Sequence, residues 1–169
     1  MPFDGVEKDG EIAWPPKGDF VMNVAGYADA YSSALDIEID PGFHVKIVSL
    51  PAMAVLKILA WNDRPDRDKH PSDVLLILRR YHQVGQEDRL YDEAIDLLER
   101  YDYDVELAGA ALLGRDASRD IVQDARLQVM HVLANDRNAD KFIAQMTRSH
   151  HGAVEHAARL LQVFLDNIA

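Results

Sequence analysis

Cysteine is absent from this chain of 169 residues. Disulfides, thiolate metal sites and a thiol nucleophile are excluded with it. Aromatic residues make up only 8%. The two tryptophans, Trp14 and Trp61, lie on an acidic chain, so they are expected in or beside the core rather than as platforms for stacked bases. Positive charge is short as well: 18 Lys and Arg stand against 29 Asp and Glu, a formal net charge of −11. Such a surface repels a phosphate backbone, so nonspecific nucleic-acid binding is not expected, although a local basic pocket remains open to a nucleotide. Long apolar runs are lacking. The longest, residues 52–61 and 74–78, fall well below the about 20 residues that a membrane span requires. Residues 1–19 have no basic segment followed by an apolar one, as a secretory signal would. A cytoplasmic location is the default expectation. No Gly-rich phosphate loop, dinucleotide fingerprint or Gly-x-Ser-x-Gly elbow occurs, and no internal repeat is visible.

What is present is a globular composition, with 48% hydrophobic and 28% charged residues. That is enough apolar material for one core, and the length suits a single domain over residues 1–169. The first fifty residues read as β-rich, with short extended candidates at 11–14 and 20–24 and a short helix over 25–35. In residues 36–40 acids alternate with Ile37 and Ile39. Period-two alternation puts the isoleucines on one face and Asp36, Glu38 and Asp40 on the other. Asp40-Pro41-Gly42 is a turn signal. Residues 43–50 alternate again, so the pair reads as a β-hairpin.

Beyond Ser49 the pattern is helical. Ser49 suits an N-cap and Pro51 an early helical position, with the helix running to about Asn62. A charged loop over 63–71 leads to Ser72 as the cap of a helix over 73–82, with Leu75, Leu76, Ile77 and Leu78 filling the core-facing side. Further helices are expected over 88–101, with Leu90, Ala94, Leu97 and Leu98 as the apolar stripe, and over 105–113, closed by Gly114 and Arg115. The last three cover 118–133, 140–147 and 152–168. The expected fold class is α+β: a small mixed or antiparallel sheet, residues 1–50, followed by a helical bundle, residues 51–169.

Residues 48–81 carry Ser49-Leu50-Pro51, Lys57, Ala60-Trp61, Asp63-Arg64, Lys69, Asp73 and Arg79-Arg80-Tyr81. On these the chain resembles predicted nucleotidyltransferases related to the abortive-infection toxin type. Those proteins have a strand ending in Ser-Leu-Pro, a helix with Ala-Trp-x-Asp-Arg, a Lys-Asp-Ala-x-Asp loop and a helix ending in Arg-x-Tyr. Pro2-Phe3-Asp4-Gly5-Val6-Glu7, Ile12-Ala13-Trp14-Pro15-Pro16 and Ala111-Leu112-Leu113-Gly114-Arg115-Asp116 extend the likeness to roughly residues 2–116.

The resemblance implies transfer of a nucleoside monophosphate from an NTP, with carboxylates holding Mg²⁺ and a lysine neutralising the triphosphate. It makes Lys57, Arg64, Lys69 and Asp73 the candidate nucleotide- and phosphate-binding residues, and Mg²⁺ and NTP the candidate cofactors. Two departures stand against catalysis. The family's Gly-Ser turn, Asp-x-Asp and third acid would precede Met1, and His70 replaces the first Asp of the loop motif. The expectation is little or no transfer by this chain.

Each candidate also has a structural reading. Lys57 fits a solvated helix face as well as a phosphate or salt-bridge role. Asp73 fits the start of a helix, or a pairing with Lys57 or Arg64. Arg64 and Lys69 fit ordinary surface ion pairs. Asp36, Glu38 and Asp40 read as a solvated strand face rather than a metal site. The sequence around His150, His151, Glu155 and His156 does not follow the His-Glu-x-x-His zinc pattern. The alternative function is a non-catalytic helical interaction module, pairing with a partner chain or a second copy at an open sheet edge.

Overall fold

The computed structural model describes residues 8, 11–13, 21–148 and 153–169. The fold is α+β: two small antiparallel sheets near the N-terminus, then a helical bundle. The segments 2–7 and Trp14-Pro15-Pro16, and His150 and His151, lie outside the described residues.

The first sheet pairs β1 (Glu11–Ala13) with β2 (Val21–Asn23), and Ile12, opposite Met22, is its buried residue. Helix α1 (Tyr27–Ser32) is shorter than the expected span of residues 25–35. Leu35 belongs instead to β3 (Leu35–Asp40), which pairs with β4 (Phe43–Ile47) as the second sheet. Gly42, at φ 74°, makes the turn between them, and its N–H donates to Glu38 Oε1 at 2.8 Å. Pairing is regular from Leu35 opposite Ile47 to Glu38 opposite His44, and then shifts so that Asp40 opposes Phe43. This irregularity corrects the expected clean separation of faces: Asp36 and Glu38 keep to the acidic row, and Asp40 does not.

Helix α2 (Leu50–Asp63) begins as its sequence dictates. Ser49 is extended, and its hydroxyl accepts from the Ala52 N–H at 3.4 Å, with Pro51 in the first turn. Helix α3 (Lys69–Arg80) starts a turn earlier than Ser72, because a proline at the third helical position, here Pro71, has no N–H that the helix needs. Asp73 is therefore inside the helix and not at its end. Of the four side chains expected to fill its core-facing side, Leu76 is exposed. A single 3₁₀ turn, Tyr81–Gln83, follows. The one helix expected over 88–101 is two, α4 (Glu87–Asp92) and α5 (Ile95–Arg100), and Leu90, Ala94, Leu97 and Leu98 are all buried across the break.

Helix α6 (Val105–Asp120), capped by Asp104, runs straight through Gly114 and forms the centre of the bundle. Helices α7 (Gln123–Leu133), α8 (Asp136–Thr147) and α9 (Val154–Ile168) close around it. Gly114 does not terminate a helix. A Cβ there would lie 2.6 Å from the Phe164 carbonyl oxygen and 2.9 Å from Asn167 Cβ, so the glycine sets how closely α6 and α9 approach.

Trp61, at the end of α2, is fully buried. Its ring stands edge-on to Phe142 of α8, with centroids 5.0 Å apart at 89°. Its Nε1–H donates to Gln145 Oε1 at 2.6 Å, and Gln145 Nε2 donates to the Pro65 carbonyl at 2.9 Å. The pair thus ties α2, the α2–α3 loop and α8 together. Trp61→Phe leaves the buried Gln145 oxygen without its donor and is expected to cost about 2 kcal/mol in urea unfolding. Unchanged stability would show that the bond contributes nothing net.

Candidate functional site

The α2–α3 segment places the candidate residues on both sides of one loop. Lys57 points from the middle of α2 to α3, where its Nζ donates to Asp73 Oδ2 at 2.6 Å, both side chains half-buried. This ion pair is one of the readings open for the two residues. Arg64 lies at the end of α2 and lines a cleft of about 230 Å³ with Asp63 and His70. Lys69 is the exposed first residue of α3.

The cleft has an apolar side made by Leu56, Leu59 and Ala60 of α2 and by Val21 and Met22 of β2. Asn23 and Tyr27 complete a polar rim with Asp63, Arg64 and His70. The first sheet and α1 therefore act as its second wall. None of this was visible in the sequence, because β2, α1 and the loop are brought together only by packing.

His70 is the residue that departs from the resembled motif, and it sits where the charges meet. Burial pushes its pKa below the ordinary histidine value, Lys57, Lys69 and Arg67 press in the same direction, and Asp73 opposes them. Burial, the largest cause, favours the neutral imidazole. Nδ1 of His70 is buried with no hydrogen-bond partner among the described residues. On the same rim, burial and the charge of Glu11 raise the pKa of Asp63, against the lowering effect of Arg64.

Comparison with protein-family models, with curated proteins and with solved structures finds no match. Function must therefore be argued from the arrangement itself.

The donor set does not fit a Mg²⁺ site. Among the described residues no three His, Asp or Glu side chains gather as a metal requires. Asp73 is held by Lys57, Asp36 lies 2.9 Å from His44 Nδ1, and Glu38 takes the Gly42 N–H. His156 is engaged with Glu106 at 2.7 Å. No helix among the described residues is long and apolar enough to cross a membrane.

Two other fragments of the resembled pattern meet far from the cleft. Tyr81 Oη donates to Asp116 Oδ2 at 2.5 Å, and Arg89 of α4 grips both oxygens of Asp116 at 2.9 Å each. The Asp116 side chain is only 3% exposed, and Arg119 adds a contact at 3.3 Å. Arg89 also donates to Gln86. Burial alone would raise the Asp116 pKa, but the bonds from Arg89 and Tyr81 outweigh it and hold the carboxyl below its usual range. Both carboxylate oxygens are engaged, so this constellation joins the 3₁₀ turn after α3 to α4 and α6 rather than offering a reactive group.

Proposed function

We propose that this chain is a nucleotidyltransferase-like module that binds a nucleotide without itself transferring it. The observation that supports the reading is the cleft of about 230 Å³ that sets Arg64 and His70 beside the apolar side chains of Leu56, Leu59, Val21 and Met22. Arg64 places a cation at this cleft on a chain of net charge −11, which favours an anionic ligand there. Lys57 spends one of its three donors on Asp73, which leaves two for phosphate oxygens. Leu56, Leu59, Val21 and Met22 offer an apolar surface for a base, and Asn23 and Tyr27 offer polar groups for its edge. Nucleotidyl transfer needs a carboxylate set for Mg²⁺ that the described residues do not assemble, so no transfer step is assigned to them.

ATP in excess is expected to raise the melting temperature through preferential binding to the folded state. Arg64→Ala and Lys69→Ala are each expected to weaken binding about tenfold, the scale of one charge-assisted contact, about 1.4 kcal/mol. Both residues are exposed, so the folded state survives the change. No thermal shift with any NTP, or incorporation of labelled nucleotide into an acceptor by the isolated chain, defeats the reading.

A second reading, an interaction module, has its own support. The β3–β4 hairpin exposes Leu35, Ile37, Ile39, Phe43 and Ile47, each between 39% and 58%. Such a concentration of apolar side chains on two strands marks a contact surface.

A further inference from the structure

We propose that the outer edge of β3 receives an extended segment of a partner chain in which apolar residues alternate with lysine or arginine. The inference rests on the interaction reading and adds the chemistry of the partner. Among the described residues β3 pairs only with β4, so its other edge presents unpaired backbone N–H and C=O groups. Leu35 and Ile37 project to one face, and Asp36 and Glu38 to the other.

The hairpin itself displays what complements that strand. Across from β3 lies Phe43-His44-Val45-Lys46-Ile47, apolar and basic by turns. Leu35 opposes Ile47 and Ile37 opposes Val45, while Asp36 opposes Lys46 and Glu38 opposes His44. A strand added to the free edge meets the same two rows of side chains, so the same alternation satisfies it. Its apolar residues extend the exposed face, and its cations meet the acidic row.

Charge chooses between a foreign strand and a second copy. Two copies each bring a net charge of −11, which opposes association. A two-fold pairing of β3 with β3 would also set acid against acid. Pairing of β3 with β4 of another copy matches the charges, but it is head-to-tail and closes no dimer.

The test uses the full chain and three labelled octapeptides with blocked ends, read by fluorescence anisotropy at 0.15 M salt. One alternates valine and lysine, one valine and glutamate, and the third is the lysine peptide N-methylated at every second residue, which removes donors along one edge. The expected result is binding of the lysine peptide at least tenfold tighter than either of the others. Ile37→Lys should abolish it without lowering the melting temperature of the bundle, because Ile37 is exposed on β3. The charge-reversed double variant Asp36→Lys, Glu38→Lys should prefer the glutamate peptide. Equal binding of the lysine and N-methylated peptides would reduce the effect to unspecific attraction and overturn the proposal. If no peptide binds and the chain assembles with itself in a manner Ile37→Lys prevents, the proposal fails while the interaction reading stands. A chain that binds no peptide and stays monomeric removes both.

Discussion

Replacing Gly114 with alanine should lower the stability of this protein by about 2 kcal/mol, against the direction that helix propensity dictates. In the interior of a helix, alanine is favoured over glycine by about 0.5–1 kcal/mol. Gly114 lies in the middle of α6, so propensity alone gives a gain. The gain is reversed by what the new methyl would meet: the Phe164 carbonyl oxygen at 2.6 Å. That atom is backbone and cannot swing aside as the tip of a side chain would. Helix α9 has to move, and forcing extra volume into a packed contact costs about 1–3 kcal/mol. Asn167 Cβ at 2.9 Å blocks the other way out. Larger residues should do worse, and Gly114→Leu should leave little folded protein. The melting temperature of Gly114→Ala should fall by about 4–8 °C, given about 2–4 °C per kcal/mol for chains of this size. Urea titration supplies the free energy directly. A variant as stable as the parent would mean that α9 yields without cost and that the close approach has no energetic role.

Asp116→Ala should cost about 3 kcal/mol. Removing one member of a buried ion pair leaves the other charged and unpaired, a loss of about 3–5 kcal/mol. Arg89 keeps some access to water, which places the effect at the lower end. Tyr81→Phe should cost only about 1 kcal/mol, because Asp116 retains Arg89 and Arg119. The network also sets a pH window. The folded carboxyl of Asp116 titrates below its usual range, so its contribution is present above the unfolded aspartate value, about 3.9, and is lost as pH falls through the folded one. Burial and the bond to Asp116 push the Tyr81 hydroxyl the other way, above its ordinary value. Its contribution is complete below the unfolded tyrosine value, about 10, and fades as pH rises beyond it. Denaturant titrations between pH 2 and 11 should therefore show a fall at each end. Asp116→Asn should flatten the acid fall and Tyr81→Phe the alkaline one. A pH profile unchanged in Asp116→Asn would show that other carboxylates govern acid unfolding.

Much of the fold was legible wherever the deciding forces are local. The Ser49 cap, the Asp-Pro-Gly turn and the alternation of β3 and β4 as far as Glu38 act within a few residues, and each appears where its chemistry puts it, whereas the register shift before Asp40 does not follow from the alternation. The stripe Leu90, Ala94, Leu97 and Leu98 was right in its burial and wrong in its continuity. Burial follows from hydrophobicity, whereas the break at Glu93 and Ala94 lies where the chain turns between two packed surfaces. Lys57 and Asp73 were recognised as candidates, and their partnership remained one option among several. Sixteen positions separate them, and only the packing of α2 on α3 brings them to 2.6 Å.

Gly114 shows where local reasoning ends. A glycine followed by arginine reads as a helix terminus, because glycine is the poorest interior residue apart from proline. The same lack of a side chain is what allows α9 to lie against α6, and nothing near Gly114 in the chain announces Phe164, fifty residues on. Tyr81 and Asp116 make the same point: two residues 35 positions apart share one buried bond. By itself, the sequence determined most of the core's residues, the net charge of −11, the exclusion of thiol chemistry and the order of a β-rich start followed by helices. These depend on residue type and short-range periodicity. The tertiary structure alone decided the cleft at His70, the Asp116 network, the close contact of α6 with α9 and the exposure of the β3–β4 hairpin. Each depends on which distant surfaces meet, and short-range pattern carries no record of that.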